Sequence, residues 1–161
     1  MVAVQLSNVT TFGSLCDCIM GIITSYGKQS NALHIVMENY KHMSIKSSER
    51  RRRADKPPGR LCEVVSAKQP LPDMDDFFTN LDNKISFQNF FVKYHVATYK
   101  SSKPLFIAGG LIDDPERCKR IKNGYVKEKP SFRASHFPTK KQTIVLCIRS
   151  SNCIRRILMA A

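Results

Sequence analysis

Glu38 ends an apolar run, Leu33 to Met37, and is followed after a short polar turn by Lys46 and four consecutive arginines, Arg50 to Arg53. A buried strand that delivers a carboxylate at its C-terminal end, followed by a basic helix, is an arrangement for holding a phosphate beside a metal ion. In that arrangement Glu38 would meet the ion and Lys46, Arg50 and Arg53 the phosphate. Further acids, Asp113, Asp114 and Glu116, follow a second apolar run, Pro104 to Ala108, and its Gly109-Gly110 turn. Functional groups in open α/β sheets gather beyond the carboxyl ends of the strands, so Asp113 and Asp114 are additional candidate metal ligands. Both groups have plainer uses. Asp114 fits a helix cap with Pro115 at the first helical position, and the arginine run fits a solvated helix face or a nuclear-import signal. Metal-dependent phosphodiester cleavage needs several converging carboxylates. Only Glu38 stands in such a context, so no residue is assigned a catalytic role.

Other chemistries find less support. The six cysteines, Cys16, Cys18, Cys62, Cys118, Cys147 and Cys153, make no zinc spacing, and Cys16-Asp17-Cys18 is one residue too tight for a CxxC knuckle. Buried thiols in a reducing compartment are the expectation. His34, His42, His95 and His136 are scattered and form no ligand pair. Gly109-Gly110 is too short to cradle a phosphate, and neither Walker nor dinucleotide patterns occur.

Charge is the strongest compositional signal. Lys plus Arg total 26 against 13 Asp plus Glu, a formal net charge of +13 over 161 residues. Such a surplus favours polyanionic partners, because each phosphate neutralised releases condensed counterions. The cations cluster, with seven basic residues from Lys46 to Arg60 against Glu49 and Asp55, and eleven from Lys119 onward against Glu128. The middle, Leu61 to Cys118, is neutral to acidic. No cationic region precedes the first apolar stretch and no run approaches ~20 apolar residues, which predicts neither signal peptide nor membrane span.

The elements that would position these groups follow from periodicity. Thr10 to Tyr26 reads as a helix, capped by Thr10 or Thr11, with Leu15, Cys18, Ile19, Ile22, Ile23 and Tyr26 at helical spacing and Gly27 as the stop. Leu33 to Met37 is a buried strand, and Ser44 to about Ala54 a basic helix ended by Lys56-Pro57-Pro58-Gly59. Cys62 to Ser66 is a second strand candidate. Helices Asp73 to Asn80 and Lys84 to Tyr99 follow, with Phe77, Phe78, Phe87, Phe90 and Phe91 as an aromatic core; base stacking is their alternative use. Pro104 to Ala108 is a third strand, Thr143 to Ile148 an edge strand, and Asn152 to Ala160 a short helix. From Gly124 to Thr139 periodicity fades. Helices alternating with short apolar strands predict an α/β layered fold with a short, mainly parallel sheet and flanking helices.

Leu33 to Arg53 resembles a segment of the flap-endonuclease and PIN-like 5′-nuclease superfamily. There a strand ends in a metal-binding Asp and leads to a helical arm with a phosphate-contacting Lys and, one heptad later, an Arg. Glu38, Lys46 and Arg53 stand at those places. Residues 11 to 120 are similar to an uncharacterised, transposon-associated family carrying the same acid motifs. The similarity is carried by Phe12-Gly13, Glu38-Asn39-Tyr40, Ser44 to Arg53, Leu71-Pro72, Asn83-Lys84 and Ile107-Ala108-Gly109-Gly110. The family's later His-Glu-Glu-Ala-Asp and Asp-Thr-Asp motifs do not follow here.

The resemblance implies an incomplete PIN-like domain over residues 1 to 120, followed by a basic irregular tail, 121 to 161, read as out of frame. It implies a degenerate, catalytically inactive 5′-nuclease-like domain with a phosphate-binding arm. The alternatives are a metal-independent nucleic-acid-binding or chromatin-interaction module and a non-functional fragment of a mobile element. The expected partner is nucleic acid, DNA or RNA, and not a membrane. No cofactor is expected, with Mg²⁺ the ion if any activity remains. The expected location is intracellular, with nuclear entry through the arginine run.

Overall fold

Thr11 starts the first helix as the periodicity requires. Its hydroxyl accepts from the Ser14 N–H at 3.3 Å, while Ser14 Oγ accepts from the Thr11 N–H at 3.0 Å, so two otherwise orphaned donors are met. The helix, α1 (Phe12–Tyr26), buries Phe12, Leu15, Cys16, Ile19 and Ile23, whereas Tyr26 is exposed. The computed structural model describes residues 9–37, 59–109, 118–129 and, as a backbone strand, 143–148. The basic helix expected from Ser44 and the C-terminal helix expected from Asn152 lie outside these residues.

The remaining elements are β1 (Ala32–Met37), α2 (Met74–Phe77), α3 (Leu81–Thr98), β2 (Leu105–Ala108), β3 (Cys118–Lys122), β4 (Tyr125–Lys129) and β5 (Thr143–Ile148). The strands form one sheet in the order β4-β3-β2-β1-β5. β1 pairs in parallel with β2 (Leu33 opposite Leu105) and with β5 (Ala32 opposite Thr143), and β3 and β4 add antiparallel neighbours. The architecture is thus mixed α/β. Two of the four pairings among the described strands are parallel and two antiparallel, so the sheet is mixed rather than mainly parallel as expected; its parallel part is β2-β1-β5, and β5 is an edge strand as expected.

Alternation along the strands sorts the sheet into two faces. Leu33, Ile35, Leu105, Ile107 and Ile121 point to one face and are almost wholly buried. They share a core with α1, α2 and α3, whose Phe12, Phe77, Phe78, Phe87 and Phe91 make a chain of ring contacts at 5.1–6.2 Å between centroids. Full burial of one such ring contributes about 2–3 kcal/mol. The aromatic cluster is therefore core, with Phe90 half-buried at its margin.

Two further expectations are corrected. Cys62 to Ser66 is not a strand. Its N–H groups go to side chains: Cys62 to Asn83 Oδ1 at 2.7 Å, Val64 to Ser86 Oγ at 2.8 Å and Val65 to Gln69 Oε1 at 3.0 Å. The segment is a strap laid along α3, these three donors satisfied without a ladder. The stretch from 121 onward, expected to be irregular apart from the edge strand β5, also holds β4 and the end of β3. Asn123 (φ 51°) and Gly124 (φ 78°) form a tight turn with both residues left-handed, the two-residue geometry that joins twisted antiparallel strands. β3 runs across the boundary expected between residues 120 and 121.

Among the described residues no helix is long and apolar enough to cross a membrane.

Candidate nucleic-acid interface

The carboxyl ends of three parallel strands meet at one edge of the sheet. Met37 stands opposite Ile148, and Val36 opposite Ala108. At the same edge Gly109 has φ 78°, and a Cβ there would run into the Met37 carbonyl oxygen, so the backbones of β1 and β2 close together only because residue 109 is glycine. In sequence, Met37 leads to Glu38 and Gly109 leads toward Asp113 and Asp114. Glu38, Lys46, Arg50, Arg53, Asp113 and Asp114 all lie outside the described residues. Among the described residues no group of three or more His, Cys, Asp or Glu side chains is placed to hold a metal ion.

Five of the described cations, Lys119, Arg120, Lys122, Lys127 and Lys129, follow one another closely on the β3–β4 hairpin. Register puts Arg120, Lys122, Tyr125 and Lys127 on the sheet face opposite the helices, and Lys119, Ile121, Val126 and Glu128 on the helix-side face. Glu128 is paired with Lys119 at 3.5 Å. The other face of the hairpin carries cations and Tyr125 with no acid among its described residues. Tyr125 is 77% exposed, and Lys122 and Lys127 are exposed beside it.

This face continues inward as one register row, Lys127, Arg120, Phe106 and His34. The Arg120 guanidinium carbon lies 5.8 Å from the Phe106 ring centroid, a cation–π contact. The His34 ring stacks on Phe106 with centroids 4.5 Å apart and 7° between planes. Burial holds the His34 imidazole below its ordinary pKa, favouring its neutral form. The row thus grades from a buried, neutral aromatic centre to an exposed, cationic rim.

The tip of the hairpin is anchored. The Asn123 N–H donates to the Ser101 carbonyl at 3.0 Å, tying the turn to the connection between α3 and β2. That connection is itself fixed by the Tyr99 hydroxyl, which donates to the Lys103 carbonyl at 2.8 Å. The exposed aromatic and its cations therefore sit on a supported rather than a free-standing ribbon.

A second polar cluster, not anticipated from sequence, joins α1 to α3. The Tyr94 hydroxyl donates to Asp17 Oδ2 at 2.9 Å, and His95, 2% exposed, lies under it against Phe91 and Tyr94. Burial lowers the His95 pKa to about 4, opposed by Asp17 and by a hydrogen bond to the Cys16 backbone. Burial, with Asp17 adding to it, drives the Cys16 thiol far above its ordinary pKa. A thiol held so firmly protonated is no nucleophile. Its neighbourhood with His95 is packing, not a catalytic pair. Cys16 and Cys18 are buried free thiols as expected, whereas the free thiol Cys62 is only half-buried.

The strap over α3 is the third polar site. Asn83, 0% exposed, accepts from Cys62 N–H and donates to the carbonyls of Arg60 at 2.9 Å and Phe77 at 3.1 Å. Asn80 caps α3 through the Asp82 N–H and donates to the Gly59 carbonyl, both at 2.9 Å. Every polar group of the Asn83 side chain is used in holding backbone, so the Asn83-Lys84 pair singled out in the sequence has its Asn in an architectural role. Comparison with protein-family models, with curated proteins and with solved structures found no match for this chain.

Proposed function

We propose that this chain is a degenerate 5′-nuclease-like domain of the PIN-like kind, which holds nucleic acid through its basic residues without cutting it. The observation that carries the reading is the clustering of its +13 surplus, seven cations from Lys46 to Arg60 and eleven from Lys119 onward. A parallel β2-β1-β5 core whose carboxyl ends share one edge supports it, since Glu38 follows β1 directly in sequence. The superfamily's Mg²⁺ would need several carboxylates at that edge. The described residues supply no such set, and the proposed role uses no metal.

Lys46, Arg50 and Arg53 form the phosphate-binding arm in this reading, with Lys46 and Arg53 seven residues apart in sequence. The partner is nucleic acid, the arginine run serves nuclear import, and the location is intracellular. A metal-independent chromatin-interaction module is the second reading, favoured by the acid-free basic face of the hairpin. Either role is electrostatic at root, so salt tests it. With four phosphate contacts from Lys46 and the run Arg50 to Arg53, log Kobs against log salt on duplex DNA should have a slope of roughly −3 to −4. Replacing Arg50 to Arg53 with alanine should flatten that slope by up to about 4 units. Wild-type protein that binds neither single strands nor duplex at low salt would overturn the reading, and an unchanged slope would remove the arm from it.

A further inference from the structure

We infer that the β3–β4 hairpin grips single-stranded nucleic acid on its basic face, with Tyr125 stacking on a base and Lys122 and Lys127 holding the flanking phosphates. This rests on the nucleic-acid reading above and adds a second site, remote in sequence from the arginine arm. Lys122 stands directly opposite Tyr125 in the ladder, and Lys127 lies on the same face two residues along, about 7 Å away. An exposed ring between two cations matches a base between two backbone phosphates. A duplex hides its base faces, whereas a single strand presents them, which is why the ring selects that form.

Lysines on an edge strand also discourage pairing with other chains, and β4 is an edge. Edge protection accounts for Lys127 on β4 but not for Lys122 on β3. It does not account for the sorting of charge between faces, which places Glu128 with Lys119 on the helix side and leaves Tyr125 77% exposed among cations on the other. The Asn123–Ser101 hydrogen bond holds the turn in place before any strand arrives, so little ordering accompanies binding.

The full chain, titrated against fluorescent oligothymidylate and against a mixed-sequence duplex, tests this. Tyr125→Ala should weaken oligothymidylate binding by about 5- to 150-fold, the range of one base–aromatic stack, and duplex binding by less. Tyr125→Phe should recover most of that loss. The Lys122→Ala, Lys127→Ala double variant should flatten the single-strand salt slope by about 1.4 units. Circular dichroism on each variant confirms that the fold is retained. If wild type binds the oligonucleotide and all three variants match it, the hairpin site is wrong while the nucleic-acid reading stands. If wild type binds neither probe, both fail together.

Discussion

Lowering the pH from about 7.5 to 5 should cost this protein about 2 kcal/mol of stability through His95 alone. His95 is 2% exposed, and its pKa falls from 6.5 to about 4 with burial as the chief cause. The depressed value means that the unfolded chain binds the proton more tightly than the native one. Stability from the neutral imidazole is therefore complete above pH 6.5 and is lost as the pH falls toward 4. The full loss below pH 4 is roughly 3 kcal/mol, at about 1.4 kcal/mol for each pH unit between the two values. The groups around the ring give the charged form little shelter. Phe91 lies 4.4 Å away between centroids, Tyr94 5.2 Å, and the nearby Asp17 carboxylate already accepts from the Tyr94 hydroxyl. His34 is shifted in the same direction by burial and adds to the effect, so the His95 share is isolated with His95→Phe, which keeps a ring against Phe91. Urea unfolding followed by circular dichroism at the two pH values gives the drop for each protein. The drop should be about 2 kcal/mol smaller in the variant, whatever its stability at neutral pH. Equal drops would mean that His95 is protonated in the native state without penalty, and the burial account of this cluster would be wrong.

Two further outcomes are expected. Asn83→Ala should destabilise by about 2–4 kcal/mol in the same urea experiment, because it strands the Cys62 N–H and two carbonyls that Asn83 now satisfies inside the protein; a loss below about 0.5 kcal/mol would show that the strap finds other partners. Flap and hairpin DNA incubated with Mg²⁺ or Mn²⁺ should stay intact, since one strand-end carboxylate, Glu38, cannot replace a cluster that holds two ions about 4 Å apart; cleavage that disappears in Glu38→Ala would refute the inactive assignment.

Local pattern was enough for the elements whose hydrogen bonds close within themselves. α1 could be read from Thr11, the helical spacing of Leu15, Ile19, Ile22 and Ile23, and the stop at Gly27, because a helix satisfies its own backbone. The aromatic face of α3 and the apolar runs of β1, β2 and β5 were legible for a related reason, as burial follows periodicity. The hairpin was also written locally, in Asn123-Gly124 flanked by alternating residues, although the fading apolar periodicity beyond it masked the turn.

Tertiary structure alone decided the partners. Cys62 to Ser66 has the composition of a strand, yet its donors go to Asn83 and Ser86, more than twenty residues away. Nothing in the segment itself encodes that choice. The clustering of cations after Lys119 was visible as a count, but only the pairing of Lys122 with Tyr125 and Lys119 with Glu128 puts opposite charge characters on opposite faces. A single-residue change of register would exchange those faces. His95 looked like one of four scattered histidines until the packing of α3 on α1 buried it beside Asp17 and Tyr94. The candidate ligands and arm residues, Glu38, Asp113, Asp114, Lys46, Arg50 and Arg53, rest on sequence alone, while the hairpin face exists only through register. Periodicity states which side of an element avoids water, whereas chemistry between side chains depends on which elements meet, and that is settled by the fold as a whole.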